Sequence, residues 1–182
     1  MAFLTEIFAL QEMQAKKIRA VVECLVYSMA AFLLPFFIGH PQFIVGSFVN
    51  VFLVLSALNL KNRKILPVAL LPSIAVLCRG LIFGTFTPFL FYMIPFIWLG
   101  NIALVFLIKY LYLSQKVNTS LSFGVAVIGK VIVLYSAAMI MIKLGILPEI
   151  FAMSMGMFQV YTACIGSAIA IVVQKNILLR LR

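Results

Sequence analysis

The sequence has few charged side chains, and carboxylates are the scarcest of them. Only 10% of its 182 residues are charged and 65% are hydrophobic, whereas soluble domains are about 25% charged and about 45–50% apolar. A chain of this length cannot hide so much apolar surface in one water-exposed core. The composition therefore predicts an integral membrane protein.

Residues that perform chemistry are also scarce. The chain has four carboxylate side chains, one histidine and three cysteines, with no HExxH, Walker loop or nucleophile–His–acid set. Cys24, Cys78 and Cys164 lie in apolar runs without a CxxC pair, so we interpret them as packing residues rather than as a disulfide or metal site. The sequence predicts no enzyme, no cofactor and no bound metal.

Apolar runs fill most of the chain and predict an all-α bundle of six transmembrane helices. Each crossing needs about 20 mostly apolar residues. Residues 1–18 are expected to form a cytoplasmic or interfacial segment, in which Phe3, Ile7 and Leu10 predict a short amphipathic helix over residues 2–15. The six predicted crossings cover residues 19–38, 43–59, 65–83, 88–108, 119–142 and 150–173.

The net charge of +10 does not indicate a nucleic-acid partner, because the basic residues lie between the apolar runs. Lys143 is the one basic residue on the predicted outer side, and Arg79 and Lys130 fall within crossings. By the positive-inside rule, both termini are expected in the cytoplasm of a multi-pass cell-membrane protein. The basic residues on the predicted inner side are Lys16, Lys17, Arg19, Lys61, Arg63, Lys64, Lys109, Lys116, Lys175, Arg180 and Arg182.

Two basic residues inside crossings are candidates for function, because an ionisable group in lipid is costly and often marks a ligand path. Arg79 lies near the outer boundary, where it either extends to the headgroups or faces an anionic ligand. Lys130 lies near the bilayer centre. It either pairs with Glu23 of the first crossing or lines a ligand cavity or a water-filled crevice.

Uncharged polar residues in the crossings have two interpretations, helix packing and ligand contact. Asn50, Asn101 and Gln159 are the amide candidates, and Tyr92 is an aromatic one that either anchors at the interface or stacks on a ligand. His40, in the first outer loop, is a solvated residue, a pH sensor, a ligand contact or a haem ligand.

The chain resembles the substrate-capture (S) components of energy-coupling factor vitamin transporters. The likeness covers nearly the whole chain in length, helix order and basic ends, and locally the segments GHPQFIVGSFVN at 39–50, IPFIWLGN at 94–101 and QVYTACIGSAIA at 159–170. The resemblance implies capture of a vitamin or similar micronutrient outside the cell. It also implies a transmembrane coupling subunit and two cytoplasmic ATPase subunits as partners.

The resemblance also implies roles for individual residues. It places the ligand pocket near the outer side, with His40, Gln42, Asn101, Lys130 and Gln159 as candidates and Arg79 at its periphery. Its docking stripe for the coupling subunit corresponds here to Ala20, Cys24 and Ser28, which depart from the family's usual alanine pair.

Two other functions remain open at this point. One is a structural membrane subunit of a cell-shape or cell-wall complex, which would have protein partners and no ligand pocket. The other is a haem or metal carrier, which would depend on His40.

Overall fold

The computed structural model describes residues 2–12, 17–38, 41–83 and 87–178, and these form helices joined by short turns. The helices are α1 (Ala2–Ala9), α2 (Lys17–Phe37), α3 (Gln42–Asn59), α4 (Leu66–Phe83), α5 (Thr87–Ile108), α6 (Thr119–Lys143), α7 (Ile150–Met155) and α8 (Met157–Val173). A short 3-10 turn covers Asn62–Ile65, and wider π-helical turns extend α5 over Lys109–Ser114 and α8 over Gln174–Leu178. The prediction of an all-helical chain is confirmed.

Five helical stretches in the described ranges are long and apolar enough to cross a membrane. They are Ile18–Phe37, Gln42–Asn59, Pro88–Ser114, Thr119–Lys143 and Ile150–Asn176. These stretches support the prediction of a membrane protein, while the count of six crossings is not confirmed. α4 is the element that corresponds to the remaining predicted crossing.

The structure differs from the prediction at both ends of the chain. The N-terminal helix stops at Ala9, short of the amphipathic helix predicted over residues 2–15. The last predicted crossing is divided at Gly156, which has φ −101° and ψ −100°. A side chain there would contact the Ala152 carbonyl oxygen at 2.8 Å, so the break depends on glycine at this position.

The helices pack mainly in pairs. The most extensive contacts join α3 to α8, then α5 to α6, then α2 to α4. A large apolar core between α2, α3, α4, α5, α6 and α8 and a smaller one around α5, α6 and α7 exclude water from the bundle. In a membrane, these side chains hold the helices together through van der Waals packing, because lipid is as apolar as the core.

One end of the bundle collects most of the described basic residues. Lys109 Nζ contacts the carbonyl of Leu60 after α3, and Gln174 at the end of α8 contacts Asn59 at the end of α3. We call this the Lys109 end, and the opposite one the Lys143 end. Besides Lys109, the elements that meet at the Lys109 end carry Arg19, Lys61, Arg63, Lys64, Lys116 and Lys175.

Candidate functional site

Three polar side chains from three helices meet inside the bundle, and we call them the polar centre: Asn50 of α3, Lys130 of α6 and Thr162 of α8. Lys130 Nζ donates to Asn50 Oδ1 at 2.6 Å. Asn50 Nδ2 donates to Thr162 Oγ1 at 3.4 Å and to the Gly46 carbonyl at 2.9 Å. Since Nδ2 is engaged on one side, Oδ1 is fixed toward the lysine.

Glycines bring α3 and α8 close enough to form this centre. A Cβ atom on Gly166 would lie 2.6 Å from Asn50 Cβ and 2.7 Å from the Ser47 carbonyl oxygen. On the facing helix, a Cβ on Gly46 would lie 3.1 Å from Thr162 Cγ2. The sequence thus alternates small and polar residues on both faces, which lets backbones approach and polar groups bond across the interface.

Lys130 is buried without an acidic partner. Its side chain is 3% exposed, and the predicted alternative of a Lys130–Glu23 pair is wrong. Glu23 instead forms an ion pair with Arg19 at 2.9 Å, one helical turn earlier on α2. Within the described ranges, which include all four glutamates, Lys130 forms no ion pair, and its oxygen partner is the neutral amide of Asn50.

Asn101 contacts a neighbouring helix. Its Nδ2 donates to the Ala69 carbonyl of α4 at 2.8 Å. One turn earlier on α5, Trp98 Nε1 donates to Ser73 Oγ at 2.7 Å. The two bonds reach α4 on either side of Pro72, which lacks an N–H and disturbs the preceding turn of α4. The structure therefore places Asn101 as a link between α4 and α5 that donates to a backbone carbonyl near the proline.

The other predicted ligand residues are dispersed. Gln42 is exposed at the start of α3, and Tyr92 is half exposed on α5. Gln159 is partly buried on α8, one turn before Thr162. Arg79 is partly buried on α4, and in the part of the chain that the structure describes its Nη1 atom is buried without a hydrogen-bond partner.

Two predictions for the first helix and loop have different outcomes. His40 lies outside the described residues, so its predicted roles stay predictions. Of the predicted docking stripe, Ser28 is buried and Cys24 donates through Sγ to the Lys64 carbonyl at 3.3 Å. Cys24 and Ser28 therefore face the bundle, and Ala20 is partly buried. A different stripe of α2 is apolar and exposed, and it consists of Val22, Leu25, Val26, Met29 and Leu33.

Sequence reasoning missed a second polar group, which we call the Lys109 cluster: Glu12, Asn59, Lys109, Tyr112 and Gln174. Asn59 and Gln174 exchange two amide hydrogen bonds, of 2.8 and 3.0 Å. Lys109 is fully buried, although the sequence indicated only a topology signal at a membrane boundary. The available signal was the pair of uncharged amides that end two apolar runs, since such groups need partners when they are buried.

A small open cleft of about 10 Å³ lies beside this cluster. Sites for small molecules usually measure about 300–1,000 Å³, so the cleft is too small for a vitamin-sized ligand. The residues that line it are Glu12, Leu58, Tyr112, Thr119, Phe123, Ile171, Gln174 and Lys175.

Comparisons with protein-family models, with curated proteins and with solved structures found no match. The function of the chain is therefore inferred from its own residues and their arrangement.

Proposed function

We propose that the chain is the substrate-capture subunit of an ECF-type importer and binds a small organic nutrient that carries an anionic group. In this proposal the chain crosses the membrane six times, with α4 as one of the crossings. The Lys109 end, which is rich in basic residues, faces the cytoplasm, in keeping with the positive-inside rule. Two partner ATPases supply the energy for uptake, and a transmembrane coupling subunit connects them to the chain.

The observation that carries the proposal is the buried amine of Lys130. Burying a lysine without an anion is unfavourable, and Asn50 supplies it with one neutral oxygen. A carboxylate or phosphate on a ligand would provide the missing charge through a strong hydrogen bond. Thr162 and Gln159, one turn apart on α8, would supply further polar contacts.

The polar centre is closed in this structure, so ligand entry in this proposal requires α6 to move away from α3 and α8. The contact between α6 and α8 is much less extensive than that between α3 and α8. Movement along this weaker contact would open a path to Lys130 while the α3–α8 pair stays intact.

Binding measurements on detergent-purified protein test the proposal. Native mass spectrometry identifies any retained molecule, and a panel of vitamins and other micronutrients identifies ligands that bind. Replacing Lys130 with Met should weaken binding of an anionic ligand by about 10- to 100-fold, the amount expected when a hydrogen bond to a charged group is lost.

Lys143→Met is the matched control, because Lys143 lies on the same helix but is exposed at its far end. It should leave affinity unchanged. A monodisperse protein that binds no member of the panel would contradict substrate capture. Unchanged affinity of the Lys130 variant for an anionic ligand would remove this residue from the site.

A structural membrane subunit of a cell-wall complex is the second candidate. The observation that favours it is the exposed apolar stripe of α2, from Val22 to Leu33, which a partner helix could cover as well as lipid. Purification under mild conditions distinguishes the two functions. Recovery with cell-wall enzymes and without ATPase subunits would select the structural role.

A further inference from the structure

The N-terminal segment, residues 2–12, lies across the Lys109 end of the bundle and packs against α5. Ile7 is almost fully buried. The rings of Phe3 and Tyr110 lie 5.8 Å apart, and those of Phe8 and Phe106 lie 6.0 Å apart. We call this segment the strap. Its contacts are apolar along α1 and become polar at its C-terminal end.

Glu12 fixes the end of the strap to three elements. Its backbone N–H donates to the Leu58 carbonyl of α3 at 2.8 Å. Its carboxylate accepts from Tyr112 Oη at 3.1 Å and from Gln174 Nε2 at 2.7 Å. The π-helical turns after α5 and α8 carry Tyr112 and Gln174, so both irregular turns contribute a donor to this carboxylate.

Lys109 fixes the strap a second time. Its Nζ donates to the Leu10 carbonyl of the strap and to the Leu60 carbonyl after α3, the latter at 2.9 Å. The lysine therefore joins the strap to the end of α3 from a fully buried position. Both bonds satisfy backbone carbonyls of residues that lie outside the helices, Leu10 and Leu60.

The strap also forms one wall of the cleft beside the Lys109 cluster, since Glu12 lines that cleft together with Thr119 and Lys175. Departure of the strap would remove this wall and expose Lys109. The strap contains two turns of helix, and Phe3 and Leu4 are about half exposed. A short segment with few buried apolar contacts opens at a lower free energy than the packed bundle.

We propose that the strap is a movable closure of the Lys109 end, held shut by Lys109 and Glu12, and that it opens as a unit while the bundle stays folded. Opening breaks the Glu12 and Lys109 bonds together, because they hold the strap at two neighbouring points, Glu12 and Leu10. The Asn59–Gln174 amide pair stays in place, since both partners belong to the bundle.

Amide hydrogen exchange of the protein in detergent micelles tests whether the strap opens separately from the bundle. In the wild type, the amides of Leu10 and Glu12 should be protected, but less than those of α3 and α8. Lys109→Met should accelerate exchange at Leu10 and Glu12 at least tenfold and leave the α3 and α8 amides within twofold of the wild type. Lys143→Met, at the opposite end, should change neither set.

Tyr112→Phe is the milder variant, because it removes one hydroxyl and keeps the packed ring. It should accelerate exchange at Glu12 by about threefold to tenfold. Wild-type amides at Leu10 and Glu12 that exchange as fast as an unfolded chain would overturn the proposal. So would equal acceleration of the strap and the bundle in both variants, or no acceleration in either.

Discussion

Replacing Gly166 with Ala is the sharpest test of the contact that builds the polar centre. The added methyl group would lie 2.6 Å from Asn50 Cβ, 2.7 Å from the Ser47 carbonyl oxygen and 3.0 Å from the Val51 amide nitrogen. Two of these three neighbours are backbone atoms, which cannot rotate away as a side chain does. α8 must therefore move away from α3.

The cost follows from this geometry. Overpacking a well-packed interface costs about 1–3 kcal/mol, and the rigid backbone neighbours place Gly166→Ala at the upper end of that range. Separation of the helices also weakens the Asn50–Thr162 bond, and bonds of this kind in membrane proteins contribute about 0.6 kcal/mol. Alanine returns up to about 1 kcal/mol through its higher helix propensity. The net loss is about 2–3 kcal/mol.

Gly124→Ala on α6 is the matched control, because a Cβ there meets no atom within 4 Å. It should be neutral or stabilising by up to about 1 kcal/mol. Thermal unfolding in detergent measures both variants. At about 2–4 °C per kcal/mol for a chain of this size, Gly166→Ala should unfold about 4–12 °C below the wild type. If the two variants unfold at the same temperature, the close α3–α8 approach is refuted.

Three further predictions concern other parts of the molecule. Asn101→Leu removes the amide that donates to the Ala69 carbonyl of α4, so the free energy of unfolding should fall by about 1 kcal/mol; equal stability of variant and wild type in a denaturant titration would contradict this role. Gly145 has a left-handed backbone conformation, with φ +72°, which an alanine adopts at a cost of about 1–2 kcal/mol. Gly145→Ala should therefore lower the free energy of unfolding by that amount and lower the midpoint of thermal unfolding, and an unchanged midpoint would contradict the left-handed turn. The protein should stay in the membrane after an alkaline wash and need detergent for extraction, because its exposed surface is largely apolar; a monodisperse protein in detergent-free buffer would contradict a membrane location.

The sequence predicted the helices well, because each apolar run ends at a basic group, a glycine or a proline. α3 was expected over residues 43–59 and occupies Gln42–Asn59, and α6 was expected over 119–142 and occupies Thr119–Lys143. The break at Gly156 was not predicted. The residues on either side of it are apolar, so the pattern continues through a position where the backbone does not.

The partners of the polar residues could not be predicted from the sequence. Asn50 is separated from Lys130 by 80 positions and from Thr162 by 112, and neither spacing carries a periodic signal. Lys109 shows the same limit, since a lysine at the end of an apolar run has the same local pattern whether it reaches the headgroups or is buried. Which of these occurs depends on the N-terminal segment that covers it, about 100 positions away.

The Lys130–Asn50 hydrogen bond joins two closely packed helix pairs. α3 and α8 approach each other closely at Gly166, whereas α6 packs most extensively on α5. A rotation of one pair against the other would stretch this bond. A fluorescent or spin-label pair placed across it would therefore report such a rotation.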